Sequence, residues 1–220
     1  MLERLTRPIL FAYSYLRLVN DPNRLDMVFA LIDRIAETEV PAEIADHPEV
    51  RAFLDRPYEP LTIDLDVLSQ LPEGSLGRTY ADWMKAQGLS PESLARKPGD
   101  TEINRFKDHL SSTHDLWHVV LGFDTDVAGE IGLQAFYFAQ LDAPVPIALM
   151  SAALLNTLLK AREDGARRMS EIVRGWRLGK RCQPLFGTDW ASLWTTPVAE
   201  VRRRFGVDEA ERDLSEPIAA

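Results

Sequence analysis

The stretch HDLWHVVLGFDTDVAGE, residues 114–130, decides how this chain folds, because one helical pattern ends within it and a second begins. His114, Asp115 and His118 come first in the stretch. An α-helix turns about 100° per residue, so these three side chains share one helical face. Two imidazoles and a carboxylate on one face are typical ligands of a divalent metal ion. The spacing therefore predicts a metal site on this helix.

Glu130 supplies a second carboxylate, but only if the chain turns back on itself. On a continuous helix Glu130 would lie about 120° round and about 18 Å along the axis from His118. Gly122 suits the residue that ends a helix, and residues 124–126 include good caps for the next one. We therefore predict a helix–loop–helix hairpin that returns Glu130 towards the histidines.

Two alternatives to this ligand set stay open at the level of sequence. The histidine pair could be partly exposed polar groups, or a neutral core histidine with a neighbouring carboxylate. The apolar residues that flank the motif weigh against this, because ionisable groups between buried helices are costly unless they are paired or bind a metal. Asp115 could also orient a histidine instead of binding the ion.

The two remaining histidines are not expected to bind the ion. His109 lies about 140° from the His114 face if the helix extends that far. His47 precedes Pro48 and is expected in a turn. The predicted metal ligands are thus confined to residues 114–130.

Length and composition restrict the class of protein. The 220 residues are 45% hydrophobic, which suits one domain with a substantial core. The net charge of −9 argues against a nucleic-acid partner, which would need a basic face. Cys182 is the only cysteine, so an intrachain disulfide and a cysteine–zinc module are both excluded. No apolar run approaches the length of a membrane span.

The helical period dominates the chain and predicts an all-α fold, a single-domain helical bundle over residues 1–207. Residues 208–220 are acidic and are predicted to form a flexible tail. Residues 88–108 are polar and predicted to be irregular, and residues 57–72 are predicted to be irregular with a short strand at 63–67 as the alternative. Besides the hairpin, helices are predicted near residues 1–19, 25–38, 76–87, 143–161, 167–180 and 198–205.

The first of these helices permits two interpretations. Its leucines and isoleucines recur near helical spacing, while Arg4, Arg7 and Arg17 make the segment basic. Such a helix can pack its apolar side on the core, or it can lie on a membrane surface.

Three stretches resemble one known family across nearly the whole chain. They are LPEGSLGRTYADWM at 71–84, the His114–Glu130 motif, and the segment from Gly175 to Trp190 that contains GWRLGK and PLFG. Together they resemble the ubiquinone (coenzyme Q) biosynthesis protein 4 family. The resemblance implies an all-helical fold and a divalent metal held at the four matching positions His114, Asp115, His118 and Glu130.

The resemblance also implies a function, and it leaves two versions of it open. One is metal-dependent decarboxylation, in a simple or an oxidative form, at C1 of a polyprenylated 4-hydroxybenzoate-type precursor. The other is a non-catalytic scaffold that binds the prenyl lipid and organises the ubiquinone biosynthesis enzymes. The implied ion is Zn²⁺, but zinc has no redox chemistry, so a redox-active metal such as iron is the alternative for an oxidative reaction. A metal phosphohydrolase of the HD type is disfavoured, because Glu130 and the flanking stretches fit the resemblance better.

The partners follow from the substrate. A prenyl tail requires an apolar groove or a bilayer, and residues 148–159 are a candidate groove wall or a plain core helix. An exposed apolar surface would suit a homodimer or a contact with other pathway enzymes. We expect a bacterial cytoplasmic location, with peripheral contact on the cytoplasmic face of the inner membrane as the alternative to a fully cytoplasmic one. Arg78 and Arg105 are candidates for binding the anionic precursor, with a surface salt bridge as the alternative for each.

Overall fold

The computed structural model describes residues 2–35, 40–94 and 99–215, and within these ranges it is helical and contains no strand. The all-α prediction is confirmed. The helices, numbered in chain order, are α1 (Leu2–Asn20), α2 (Leu25–Ile35), α3 (Ala42–Ala45), α4 (Pro48–Leu54), α5 (Leu65–Leu68), α6 (Leu76–Gln87), α7 (Glu102–Leu121), α8 (Val127–Leu141), α9 (Pro144–Lys160), α10 (Gly165–Arg181), α11 (Val198–Arg204) and α12 (Val207–Ser215).

The described residues form two compact units, and each unit is discontinuous in sequence. The first comprises residues 1–44 and 124–180, and the second comprises residues 45–123 and 181–220. The chain leaves the first unit within α3 and returns to it just before α8. The boundaries of the predicted single domain, residues 1–207, stay a prediction.

In the first unit, α9 packs against α1, α2 and α8. One cluster of its core contains Leu18, Leu31 and Ala152, which are almost completely buried. Helix α10 approaches α8 closely, since a Cβ at Gly175 would clash with the carbonyl oxygen of Gly132. Glycine at this position thus permits the two helix backbones to touch.

A buried arginine joins three helices of the first unit. Arg168 on α10 donates to the carbonyl oxygen of Ala153, to Asn156 Oδ1 and to Thr157 Oγ1 on α9, at 3.3, 3.0 and 2.8 Å. Asn156 in turn donates to the carbonyl oxygen of Val19 on α1 at 2.9 Å. These bonds offset the cost of burying a guanidinium group.

In the second unit, α7 packs against α4, α6 and α11. Leu76, Tyr80 and Met84 form the buried face of α6, at the spacing that the sequence predicts for a helix over 76–87. The start of α6 is fixed by the segment before α11: the Leu76 N–H donates to the carbonyl oxygen of Thr196 at 2.8 Å. Ser75 caps the helix by accepting the Arg78 N–H.

Two segments that the sequence predicts to be irregular, residues 57–72 and 88–108, contain helical residues. Residues 102–108 form the beginning of α7, because Thr101 caps it and the buried Ile103 and Phe106 recur at helical spacing beneath the polar surface. Residues 65–68 form α5, whose N–H groups at Asp66 and Val67 donate to Asp64 Oδ1. The prediction of a turn-rich segment up to residue 108 and the alternative of a strand near 63–67 are therefore wrong.

A helix also stands where the sequence predicts a flexible tail. Val207 and Ala210 of α12 are buried, and Arg202 binds Asp208 and Glu211 of this helix at 2.8 and 2.6 Å. Burial of these two small apolar residues and two charge-assisted bonds order the segment as far as residue 215. Residues 216–220 of the predicted tail, and residues 36–38 of the predicted second helix, lie outside the described residues.

Candidate metal centre

The helix–loop–helix segment that contains the motif has the boundaries that the sequence predicts. Gly122 ends α7 with a left-handed backbone, φ 69°, and its N–H donates to the carbonyl oxygen of His118 at 2.8 Å. Asp126 caps α8 by accepting the Gly129 N–H at 3.0 Å. A Cβ at Gly129 would clash with the backbone of Asp124, so glycine is needed where the loop meets α8.

His118 is the most deeply placed member of the motif, and its side chain is 1% exposed. Its Nδ1 lies 3.1 Å from the carbonyl oxygen of Phe123. A carbonyl oxygen only accepts, so this contact assigns the proton to Nδ1 and leaves the lone pair on Nε2. A histidine ligand commonly donates its second ring nitrogen in this way.

The Nε2 atoms of His114 and His118 face each other at 3.3 Å, with the two rings at 78°. One ligand atom from each of His114, His118 and Glu130 forms a group in which all three atoms lie within 4.8 Å of one another. His118 in this group is buried, and His114 and Glu130 are half-buried. Two imidazole nitrogens and a carboxylate oxygen at this separation suit Zn²⁺ or another divalent transition metal.

Asp115 is not a member of this group of three. Its side chain is buried, and its carboxylate acts electrostatically on Tyr80 of α6. Burial, and then the nearby Asp115 carboxylate, raise the pKa of Tyr80 above its ordinary value. The metal-ligand role of Asp115 stays a prediction.

Helix α6 contributes a residue to the site that the sequence prediction missed. The indole of Trp83 stacks on the imidazole of His118, with ring centroids 5.8 Å apart and planes at 23°. The sequence predicts only that Trp83 lies on one helix with Tyr80 and Met84. Which ring Trp83 meets depends on tertiary packing between α6 and α7.

The two arginines proposed for substrate binding lie on other faces of their helices. Arg78 donates to Asp82 Oδ2 at 2.7 Å and to the carbonyl oxygen of Ser69 at 2.9 Å. It lies about 140° round α6 from Trp83. Arg105 precedes His114 by nine residues on the continuous helix α7, which places it about 180° round the helix. Substrate binding by these arginines stays a prediction, and these positions lend it no support.

The other two histidines, His109 and His47, lie outside the candidate metal centre. His109 is buried between the rings of Phe53 and Phe186, and its Nε2 accepts the Gly187 N–H at 3.0 Å. Burial lowers the pKa of His109 to about 3, so the ring is neutral at physiological pH. His47 lies at the start of α4 in extended backbone before Pro48. Neither belongs to the metal-ligand group.

The fold and the site define a class: an all-helical protein with a candidate divalent-metal centre of two histidines and one glutamate. A family model described as coenzyme Q (ubiquinone) biosynthesis protein Coq4 matches residues 1–211. The chain therefore belongs to the Coq4 family, and its role lies in ubiquinone biosynthesis.

Individual relatives agree with this family. The mitochondrial ubiquinone biosynthesis protein coq4 of Talaromyces stipitatus is 31% identical over 225 residues, covering 98% of this chain and 76% of the relative. That of Coprinopsis cinerea is 29% identical over 210 residues, covering 91% and 71%. A crystal structure of a candidate ubiquinone biosynthesis protein from Nostoc punctiforme is 35% identical, with a TM-score of 0.78 over 91% of this chain and 98% of that one.

Two findings concern the location of the protein. Among the described residues, no helix combines the length and the apolar character needed to cross a membrane. The fungal relatives are named mitochondrial. Their names lend no support to the predicted bacterial location at the inner membrane, which stays a prediction.

Proposed function

We propose that this chain is a metal-dependent enzyme that removes the carboxyl group at C1 of a polyprenylated 4-hydroxybenzoate-type precursor. The observation that carries the proposal is the group formed by His114, His118 and Glu130, whose ligand atoms lie within 4.8 Å of one another. Three protein ligands are typical of catalytic zinc sites, which keep a position for water or substrate, whereas structural sites are usually closed by four.

The charge of the site suits an anionic substrate. Two neutral imidazoles and one carboxylate around a divalent ion carry a formal charge of about +1, whereas a fourth, carboxylate ligand would make the site neutral. Asp115 is outside the group of three, which supports the version with the positive charge. A bound divalent ion supplies Lewis acidity towards an oxygen of the substrate.

The protein's own residues hold the ligands in place. Phe123 accepts the Nδ1 proton of His118 and so fixes the tautomer that presents Nε2. Gly122 and Asp126 fix the ends of the two helices from which the ligands project. We assign Asp115 a supporting role, in which its carboxylate orients a histidine of the motif instead of binding the ion.

The reaction breaks the bond between C1 of the ring and the carboxyl carbon, and carbon dioxide leaves. In the simple form a proton takes its place on C1. In the oxidative form C1 gains a hydroxyl group, and dioxygen is the oxidant. If water supplies the hydroxyl oxygen, dioxygen is reduced to hydrogen peroxide. The simple form needs no redox-active metal, so Zn²⁺ is compatible with it. In the oxidative form Zn²⁺ suffices only if the electrons pass directly from the ring to dioxygen, and iron is the alternative metal.

The prenyl tail of the precursor requires an apolar surface, since each CH₂ removed from water contributes about 0.8 kcal/mol. Helices α1, α9 and α10 of the first unit expose large apolar side chains. Leu154 and Leu158 share one face of α9, and Val173 and Trp176 share one face of α10. We propose that this surface contacts the tail or the bilayer that holds it; a second copy of the chain or another pathway enzyme would suit it too.

The same exposed surface favours the second candidate function, a prenyl-lipid-binding scaffold. In that function the metal would only hold α7 and α8 in place. Exposed leucines, valines and tryptophans serve a scaffold as well as an enzyme, so the two functions differ only in whether the metal centre turns over substrate.

The decisive assay follows loss of the carboxyl group by mass spectrometry. Purified, metal-loaded protein is incubated in air with a polyprenylated 4-hydroxybenzoate, beside the variants Glu130→Ala and Glu209→Ala. Glu209 is an exposed acid on α12 and serves as the matched control. We expect product from the parent and from Glu209→Ala, and none from folded Glu130→Ala. No product from any of the three, with lipid still bound, would refute the enzyme and favour the scaffold.

A further inference from the structure

Trp83 is in contact with a predicted metal ligand but has no ligand atom of its own. It lies on α6, is half-buried, and stacks on the imidazole of His118 with the two planes at 23°. The ring centroids are 5.8 Å apart. The contact is internal to the second unit, since α6 and α7 both belong to it.

The hydrogen bond from His118 Nδ1 to Phe123 fixes which nitrogen carries the proton and holds one edge of the ring. The χ2 torsion of histidine is broad, so the imidazole can rock about its bond to Cβ. Rocking would move Nε2 away from the position that it shares with His114 Nε2, 3.3 Å away. The flat face of an indole against the ring opposes this motion.

Charge makes the same contact stronger when the ligand is engaged. An imidazole that coordinates a divalent cation takes on positive character. The face of an indole carries the negative part of its quadrupole, and tryptophan is the best of the aromatic residues at stabilising a cation within about 6 Å of its centroid. We therefore expect Trp83 to stabilise the metal-bound form of His118 more than the metal-free form.

We propose that Trp83 is a positioning residue of the metal centre: its indole holds the plane of the His118 ring so that Nε2 faces the ion. The inference rests on the proposed function, because it presupposes that His118 is a ligand. It adds α6 to the helices that build the site.

The test uses Co²⁺ as the probe with the full chain freed of metal. Affinity is measured by titration, and the geometry around the ion by the visible absorption bands of bound Co²⁺. Trp83→Phe keeps a flat ring, Trp83→Leu removes it, and Trp83→Met is a second ringless variant for use if the leucine variant does not fold. Trp176→Leu is the control, because Trp176 is also a partly exposed tryptophan that stacks on another ring, that of Phe138.

We expect Trp83→Phe and Trp176→Leu to bind Co²⁺ with an affinity close to that of the parent and with the same absorption bands. A folded ringless variant at position 83 should bind about 10-fold more weakly, the usual effect of losing a group that orients a ligand. Its absorption bands should also change. A ringless variant with the affinity and bands of the parent would overturn the inference and leave the metal centre intact. No Co²⁺ binding by the parent itself would overturn the metal centre, and this inference with it.

Discussion

Two buried histidines lie nine residues apart on α7, and their surroundings differ in one respect that matters for function. His109 is 6% exposed and His118 is 1% exposed, so burial does not distinguish them. The Nε2 of His109 accepts a backbone N–H from Gly187, whereas the Nε2 of His118 faces His114 Nε2 and belongs to the group with Glu130. The partner of Nε2 therefore distinguishes the two residues: a backbone N–H bonds this atom in the core histidine, and other potential ligand atoms face it in the candidate metal ligand.

We expect the largest difference between the two histidines in metal binding. His118→Asn removes the Nε2 ligand and should abolish tight binding of Zn²⁺ or Co²⁺, with a loss of at least about 100-fold. His109→Gln should bind metal as the parent does, because its side chain is on the side of α7 that faces Phe53 and Phe186. Equilibrium titration of both folded variants measures the difference. Equal losses in the two variants would contradict the division of roles.

The second effect is on stability, where we expect substitution of His109 to cost more than substitution of His118. His109→Ala leaves the Gly187 N–H without its acceptor and opens a cavity beside Phe53, so the free energy of unfolding should fall by about 2–4 kcal/mol. The measurement is denaturant unfolding in metal-free buffer. His109→Gln, which can keep an acceptor, should lose less than the alanine variant. A loss below about 0.5 kcal/mol for alanine would show that the core does not depend on this ring.

The third effect is a dependence of stability on pH. Burial holds the pKa of His109 at about 3, well below the 6.5 of an exposed histidine. The unfolded chain therefore binds more protons than the folded chain between these values, and stability is complete above pH 6.5 and falls as the pH decreases towards 3. The slope from this group is at most about 1.4 kcal/mol per pH unit. Between pH 6.5 and 5, His109→Gln should unfold with a flatter pH dependence than the parent; identical slopes would contradict a buried, neutral ring.

The smallest effect concerns the end of α7 that carries His118. Arg202 donates to the carbonyl oxygen of Val120 in the last turn of α7 and binds Asp208 and Glu211 of α12. Arg202→Met removes a donor from the helix end, where backbone carbonyls lack partners within the helix. We expect a loss of about 1–2 kcal/mol in unfolding free energy, since these are charge-assisted bonds that are only partly shielded from water. Arg202→Lys should retain part of it, and full stability of the methionine variant would refute this role.

Much of this arrangement was predictable because it is local in sequence. The boundaries of α6 match the predicted helix over 76–87, and the break between α7 and α8 follows from Gly122 and Asp126. The histidine pair and Glu130 could be grouped because they lie on consecutive helices of known pitch. Local rules of periodicity and capping suffice for such features.

The remaining features depend on contacts between residues that are distant in sequence. The beginning of α7 looks irregular because Lys107 and Asp108 interrupt its apolar residues, and burial of Ile103 and Phe106 becomes evident only in the fold. The stacking of Trp83 on His118 joins residues 35 positions apart. The electrostatic effect of Asp115 on Tyr80 likewise depends on how α6 packs against α7. Spacing along one helix carries no information about these neighbours.

X-ray absorption of the zinc-loaded chain can decide whether His114, His118 and Glu130 hold a divalent ion. We expect one bound ion per chain whose spectrum shows scattering from two imidazole rings. His118→Asn should lose bound zinc or the scattering from one ring, while His109→Gln should retain the spectrum of the parent. A parent spectrum without imidazole scattering, or an unchanged spectrum in folded His118→Asn, would contradict this metal site.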